Sequence, residues 1–148
     1  MSYKELIKEL LEELKERSLN CFGDRLYSLV VFGSVASGLN TPESDVDVIY
    51  ILKNFRGSYE EFSLYYSCVE ENLKTLKDLK KLRINTFISP IFLDINHLTV
   101  RMPIFWKTEF IVLYDKGVFR KFLSDLKKFK REKLIYHDKP MPYFEVLP

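Results

Sequence analysis

The stretch FGSVASGLNTPESDVDVIYIL, residues 32–52, joins two strand-like segments, RLYSLVVF (25–32) and VDVIYIL (46–52). Both are short and rich in β-branched and aromatic residues, the composition of buried strands. Gly33 stops the first, and a tight turn, most simply a short helix over residues 35–38, follows it. Glycine lets a ligand approach the backbone closely, and Ser34 adds a hydroxyl donor to the N–H groups freed there. Gly33 and Ser34 are therefore a candidate phosphate seat. Asp45 and Asp47 stand two apart at the head of the second strand, so both side chains share one face, about 7 Å apart. Two like charges held side by side are costly unless a cation lies between them. Mg²⁺ takes one or two carboxylates and completes its shell with water and substrate phosphates. A nucleoside triphosphate with Mg²⁺ satisfies both halves of the stretch at once.

Outward from this centre, Leu6, Ile7, Leu10, Leu11 and Leu14 fall at helical spacing and predict a helix from Tyr3 to about Asn20, ended near Gly23. Residues 54–58 read as a turn and 59–82 as one long helix. RINTFISPIFL (83–93) reads as a third strand, which Pro90 confines to an edge or a bulge. Residues 96–109 suggest one or two helical turns, FIVLY (110–114) a short strand, and residues 117–133 a basic amphipathic helix. The last segment, 134–148, reads as an extended C-terminal tail laid on the domain. With no repeat and no linker, residues 1–148 are expected to form a single α+β or mixed α/β domain, a small mixed sheet flanked by helices.

Composition narrows the classes. The chain has 148 residues, 47% hydrophobic and 30% charged, with a formal net charge of +2, values of an ordinary globular domain. No apolar run approaches the roughly 20 residues that span a bilayer, and the N-terminal residues are amphipathic with mixed charge, unlike a signal peptide. The expectation is a cytoplasmic protein without a membrane partner. Cys21 and Cys68 have no CxxC spacing and read as two reduced thiols. His97 and His137 have no spaced partner for a transition metal and read as surface or packing residues, and Trp106 as a core or tail contact. The 116–133 segment carries Lys116, Arg120, Lys121, Lys127, Lys128, Lys130, Arg131 and Lys133, but Phe119, Phe122, Leu126 and Phe129 describe an apolar face. It reads as a docked helix with a solvated basic side, a nucleic-acid contact being the weaker reading. No Gly-x4-Gly-Lys-Ser/Thr loop occurs, which argues against P-loop chemistry.

The pattern G-S-x10-D-x-D, with a strand before the Gly-Ser and a strand carrying both aspartates, resembles the signature of the DNA polymerase beta superfamily of nucleotidyltransferases. The length and element order are similar to its minimal prokaryotic members, and IVLYDKG (111–117) followed by a basic helix is similar to archaeal ones. The resemblance implies a polymerase-beta-like nucleotidyltransferase fold and Mg²⁺-dependent transfer of a nucleoside monophosphate, foremost AMP from ATP, to a protein, small-molecule or RNA hydroxyl. Gly33 and Ser34 would bind the β and γ phosphates. Asp45 and Asp47 would be the catalytic carboxylates and hold two Mg²⁺ ions. Small relatives act as antitoxins on a helical RNase-like partner, and this chain is too short to hold an acceptor domain, so a helical protein partner or a homo-oligomer is expected.

The chain departs from that pattern at a third carboxylate, which such enzymes carry on a neighbouring strand. No acidic residue lies between Asp78 and Asp94. The expected position falls at Ser89, with Thr86 as the other register; Asp94 would reach the same face only through a bulge at Pro90. The alternative function is therefore a nucleotide-binding or partner-neutralising module with a weakened catalytic site.

Overall fold

The computed structural model of the chain describes residues 2–106 and 109–148. In chain order its elements are α1 (Tyr3–Phe22), β1 (Leu26–Phe32), α2 (Gly33–Ser37), β2 (Val46–Leu52), α3 (Ser58–Cys68), α4 (Lys74–Lys81), β3 (Ile88–Asp94), β4 (Ile111–Asp115), α5 (Val118–Lys133), β5 (Leu134–His137) and β6 (Tyr143–Val146). Short 3-10 turns at Ile95–His97 and Pro103–Phe105 occupy the irregular stretch, as its sequence suggests, while Lys107 and Thr108 of that stretch lie outside the described residues.

The main sheet is mixed, ordered β3-β2-β1-β4. β1 runs antiparallel to β2 and β4, and β2 runs parallel to β3. Alternation along β2 divides the molecule. Val46, Val48, Tyr50 and Leu52 face a core shared with Leu10 and Leu14 of α1, Tyr65 of α3 and Leu79 of α4. Ile49 and Ile51 face the other way, onto Phe119, Phe122 and Leu126 of α5 and onto Phe105. A strand covered by helices on both faces must be apolar nearly throughout, which is why residues 46–52 lack the polar alternation of a half-exposed strand. β3 lies at an edge, where Pro90, lacking an N–H donor, is tolerated.

Three sequence expectations are corrected. The helix expected over 59–82 is two helices. A 3-10 turn at Glu70–Asn72 and an extended Leu73 (φ −83°, ψ 100°) interrupt it. The start of α4 is held by Glu13 of α1, whose carboxylate accepts from Lys74 N at 2.7 Å and Thr75 N at 3.1 Å. A long-range cap of this kind outweighs the local preference for one continuous helix. The C-terminal tail is not merely extended: β5 and β6 pair with each other antiparallel, with Tyr136 against Phe144 (5.3 Å between ring centroids) and His137 stacked on Tyr143 (4.6 Å). Cross-strand aromatic pairs supply the contacts that stabilise such a ribbon. Trp106 packs edge-on against Phe144 at 5.7 Å, as expected of a tail contact. Finally, Cys21 and Cys68 are joined in a disulfide rather than free, because the last turns of α1 and α3 meet with the two Cα atoms 5.8 Å apart. Their separation of 47 residues gives no hint of that approach.

Candidate functional site

The end of β1 and the start of β2 lie side by side, with Phe32 opposite Asp47. The chain turns out of β1 directly into α2, whose first residue, Gly33, has φ +72°. A Cβ at Gly33 would overlap the Asp47 carboxylate and lie 3.3 Å from its Cγ, so the position requires glycine for space as well as for backbone conformation. The Gly-Ser turn and the Asp pair are thus one construction: the carboxylate of one half packs on the bare Cα of the other. Gly38 ends α2 in the left-handed region (φ 77°, ψ 12°), its N–H bonding back to Ser34 and Val35 carbonyls.

Asp45 is exposed and Asp47 half-buried, on the face of β2 that carries Ile49 and Ile51. Neither carboxylate has a hydrogen-bond donor or an ion-pair partner among the described residues, and neither does the Ser34 hydroxyl. Burial, and then the charge of Asp45, push the Asp47 carboxyl above its ordinary value. An uncompensated carboxylate pair is a poor structural device and a good cation seat. The donor set fits Mg²⁺ carrying a phosphorylated ligand: two carboxylates and a serine hydroxyl, with room left for phosphate and water. It does not make an all-protein cage, since no cluster of three or more His, Cys, Asp or Glu side chains suited to a metal occurs among the described residues.

The residue opposite Asp47 on β3 is a serine. The parallel ladder runs unbroken from Val46↔Ile88 to Leu52↔Asp94 and sets Ser89 opposite Asp47. There is no bulge at Pro90. Asp94 therefore lies at the far end of β3, five residues or about 16 Å from the level of Asp47. Its carboxylate is used locally, accepting from Asn96 N at 2.9 Å and pairing with His97 Nδ1 at 3.1 Å. Thr86 is fully buried, its hydroxyl directed to the Pro42 carbonyl at 3.4 Å, so it too is absent from the carboxylate face.

The sequence reading missed Phe87, a ring left 55% exposed at the head of β3 between buried Thr86 and Ile88. The signal was available in TFIS (86–89), whose second and fourth residues share a face once Ser89 is placed. The basic side of α5 stays solvated while Phe119, Phe122, Leu126 and Phe129 are buried, as the amphipathic reading expects. No helix among the described residues is long and apolar enough to cross a membrane.

The family model described as "nucleotidyltransferase domain" matches residues 7–137. A Methanocaldococcus jannaschii protein inferred to be a protein adenylyltransferase is 37% identical over 51 residues, which is 34% of this chain and 35% of that relative, so the match spans about a third of the relative's length. Among solved structures, a toxin–antitoxin crystallised with AMP-PNP aligns with a TM-score of 0.45 and 14% identity, covering 88% of this chain and 92% of that one. A nucleotidyltransferase-like protein of Sulfolobus solfataricus aligns with a TM-score of 0.43 and 16% identity, covering 79% and 92%.

Proposed function

The chain belongs to the nucleotidyltransferase domain family, a family of transferase enzymes, and on that premise we propose that it is a Mg²⁺-dependent adenylyltransferase that moves AMP from ATP to a hydroxyl of a protein partner. The observation that carries this reading is the pair Asp45 and Asp47, which has no ion-pair partner among the described residues and whose Asp47 carboxylate packs against the glycine of a Gly-Ser turn. The adenylyl donor and the protein acceptor are suggested by the name of the M. jannaschii relative. Bound Mg²⁺ would screen the triphosphate and the charge that develops on the entering and leaving oxygens.

The chain's own residues have separate tasks. Gly33 lets the turn come close to the β and γ phosphates, and the Ser34 hydroxyl donates to one of their oxygens. Asp45 and Asp47 would hold the cation, which would supply positive charge beside the phosphates. The acceptor oxygen bonds to the α-phosphorus, the bond from that phosphorus to the α,β-bridging oxygen breaks, and pyrophosphate leaves. The hydroxyl proton passes to solvent. Calorimetric titration of ATP with Mg²⁺ tests the site. Wild type should bind only with the metal, and Asp45→Ala or Asp47→Ala should each weaken binding by roughly a hundredfold, in line with the loss of a charge-assisted anchor. Equal affinity in EDTA would sink the proposal.

Ser89 favours a second reading. With a hydroxyl where a carboxylate would stand beside Asp47, the site holds nucleotide better than it turns it over. On this reading the chain is a nucleotide-binding, partner-neutralising module of the antitoxin kind. Tight Mg²⁺–ATP binding without any transfer would select it.

A further inference from the structure

We infer, resting on the nucleotidyltransferase reading, that Phe87 forms the acceptor platform and selects an uncharged hydroxyl set beside an apolar group on a protein surface. The direction of attack fixes where the acceptor must lie. In-line displacement at phosphorus brings the entering oxygen opposite the leaving pyrophosphate. The sheet places the Gly33–Ser34 turn at the end of β1, the aspartate pair on β2 and Ser89 on β3, three neighbouring strands about 4.8 Å apart. With the β and γ phosphates on the β1 side and the α-phosphorus over β2, the acceptor arrives over β3.

In the segment that leads into β3 burial alternates: Asn85 exposed, Thr86 buried, Phe87 55% exposed, then Ile88 7% exposed and Ser89 exposed at the start of the strand. Phe87 is level with Asp45, because Val46 N donates to the Phe87 carbonyl at 2.8 Å and Val46 stands opposite Ile88. More than half of the Phe87 side chain is open to solvent, and its neighbours two residues away on either side, Asn85 and Ser89, are short and polar. Asn85, Phe87 and Ser89 carry no positive charge. A polynucleotide end would bring phosphates toward the Asp45 carboxylate, and the nearest cation along this segment, Arg83, lies beyond Asn85. A neutral hydroxyl with an apolar neighbour meets no such penalty, and its neighbour covers the ring. The acceptor O–P bond forms and the bond to pyrophosphate breaks as above, the proton going to solvent, so ATP and the acceptor are the only reactants.

The test offers wild type, Phe87→Ala and Phe87→Leu three probes with ATP labelled at the α-phosphate and Mg²⁺. These are peptides with a single hydroxyl residue between leucines, the same peptides with glutamates in place of the leucines, and a short oligoribonucleotide with a free 3′-hydroxyl. Label should enter the leucine-flanked peptides first. Phe87→Ala should raise their KM by about tenfold, the value of one lost aromatic contact, with Phe87→Leu between it and wild type. The calorimetric Kd for Mg²⁺–ATP should stay within about twofold in both variants. Preference for the oligoribonucleotide, an unchanged peptide KM, an equal loss of ATP affinity, or no peptide labelling while ATP binds would each overturn the inference. Absence of Mg²⁺–ATP binding in wild type would instead overturn the nucleotidyltransferase reading, and this inference with it.

Discussion

Asp47 and Asp115 both border β1, one opposite Phe32 and the other opposite Ser28, yet the fold treats them in opposite ways. Burial pushes the Asp115 carboxyl up, but hydrogen bonds outweigh it and hold it below its ordinary value. Its oxygens accept from Phe119 N at 3.0 Å, from Ser28 Oγ at 2.8 Å and from Arg120 N at 3.0 Å, which ties β1 and β4 to the first turn of α5. Asp47 is also partly buried, but its nearest charge is another carboxylate, and its pKa moves up. The same side chain is a finished joint at one end of the sheet and an unfinished site at the other. A partly buried acid without donors, beside a second carboxylate, is suited to a cation from outside.

That contrast can be broken or sharpened by substitution. The largest effect is expected for Ser89→Asp, which adds a third carboxylate level with Asp47. Adenylyl transfer should rise by roughly 10²-fold, the usual scale for supplying a general base. Mn²⁺ binding, followed by electron paramagnetic resonance, should tighten at the same time. A variant that binds Mn²⁺ no better than wild type would show that Ser89 does not face the cation seat.

Next comes Asp115→Ala, which should cost about 1–2 kcal/mol by uncapping α5. In a thermal melt this appears as a Tm about 2–8 °C lower, with Mg²⁺–ATP affinity unchanged. Its pH dependence follows from the lowered pKa: the wild-type advantage is present above the ordinary value of 3.8 and is lost as pH falls through the lower, folded-state value. A wild-type advantage that grew on acidification would contradict the hydrogen-bond account.

The smallest effect should come from Asp47→Asn without divalent cations. The folded protein holds the Asp47 proton more tightly than the unfolded chain does, so stability falls as pH rises from below 3.8 through the raised value. Removing the charge should therefore raise the metal-free Tm near neutral pH by about 1–3 °C. Mg²⁺ should then stabilise wild type and leave the variant where it is. A metal-free Asp47→Asn protein that melts earlier than wild type would mean that Asp47 is structural after all.

Legibility in the sequence followed the range of the forces involved. The strand over 46–52 was readable to the residue, because a segment buried on both faces needs a continuous apolar run and nothing distant alters that. The basic helix was readable from its apolar stripe, which is a local periodicity. The break at Leu73 was not, since the group that caps α4 is Glu13, some sixty residues earlier in the chain. The disulfide and the terminal hairpin escaped for the same reason: each depends on which surfaces meet, not on which residues are adjacent. At the site, the types and spacing of Gly33, Ser34, Asp45 and Asp47 were evident, whereas Phe87 became visible only when β3 acquired a register.

The sequence by itself determined the chemistry on offer, a Gly-Ser turn and two carboxylates on one face of a strand, because glycine's freedom and the two-residue period of a strand are local properties. Only the tertiary structure decided what those groups meet. It placed the Asp47 carboxylate on the bare Cα of Gly33, set Ser89 beside it and sent Asp94 to the far end of β3. Strand pairing makes these choices, and the parallel β2–β3 register is fixed by a crossover of 35 residues whose path is settled by packing against α1 rather than by any residue within the site.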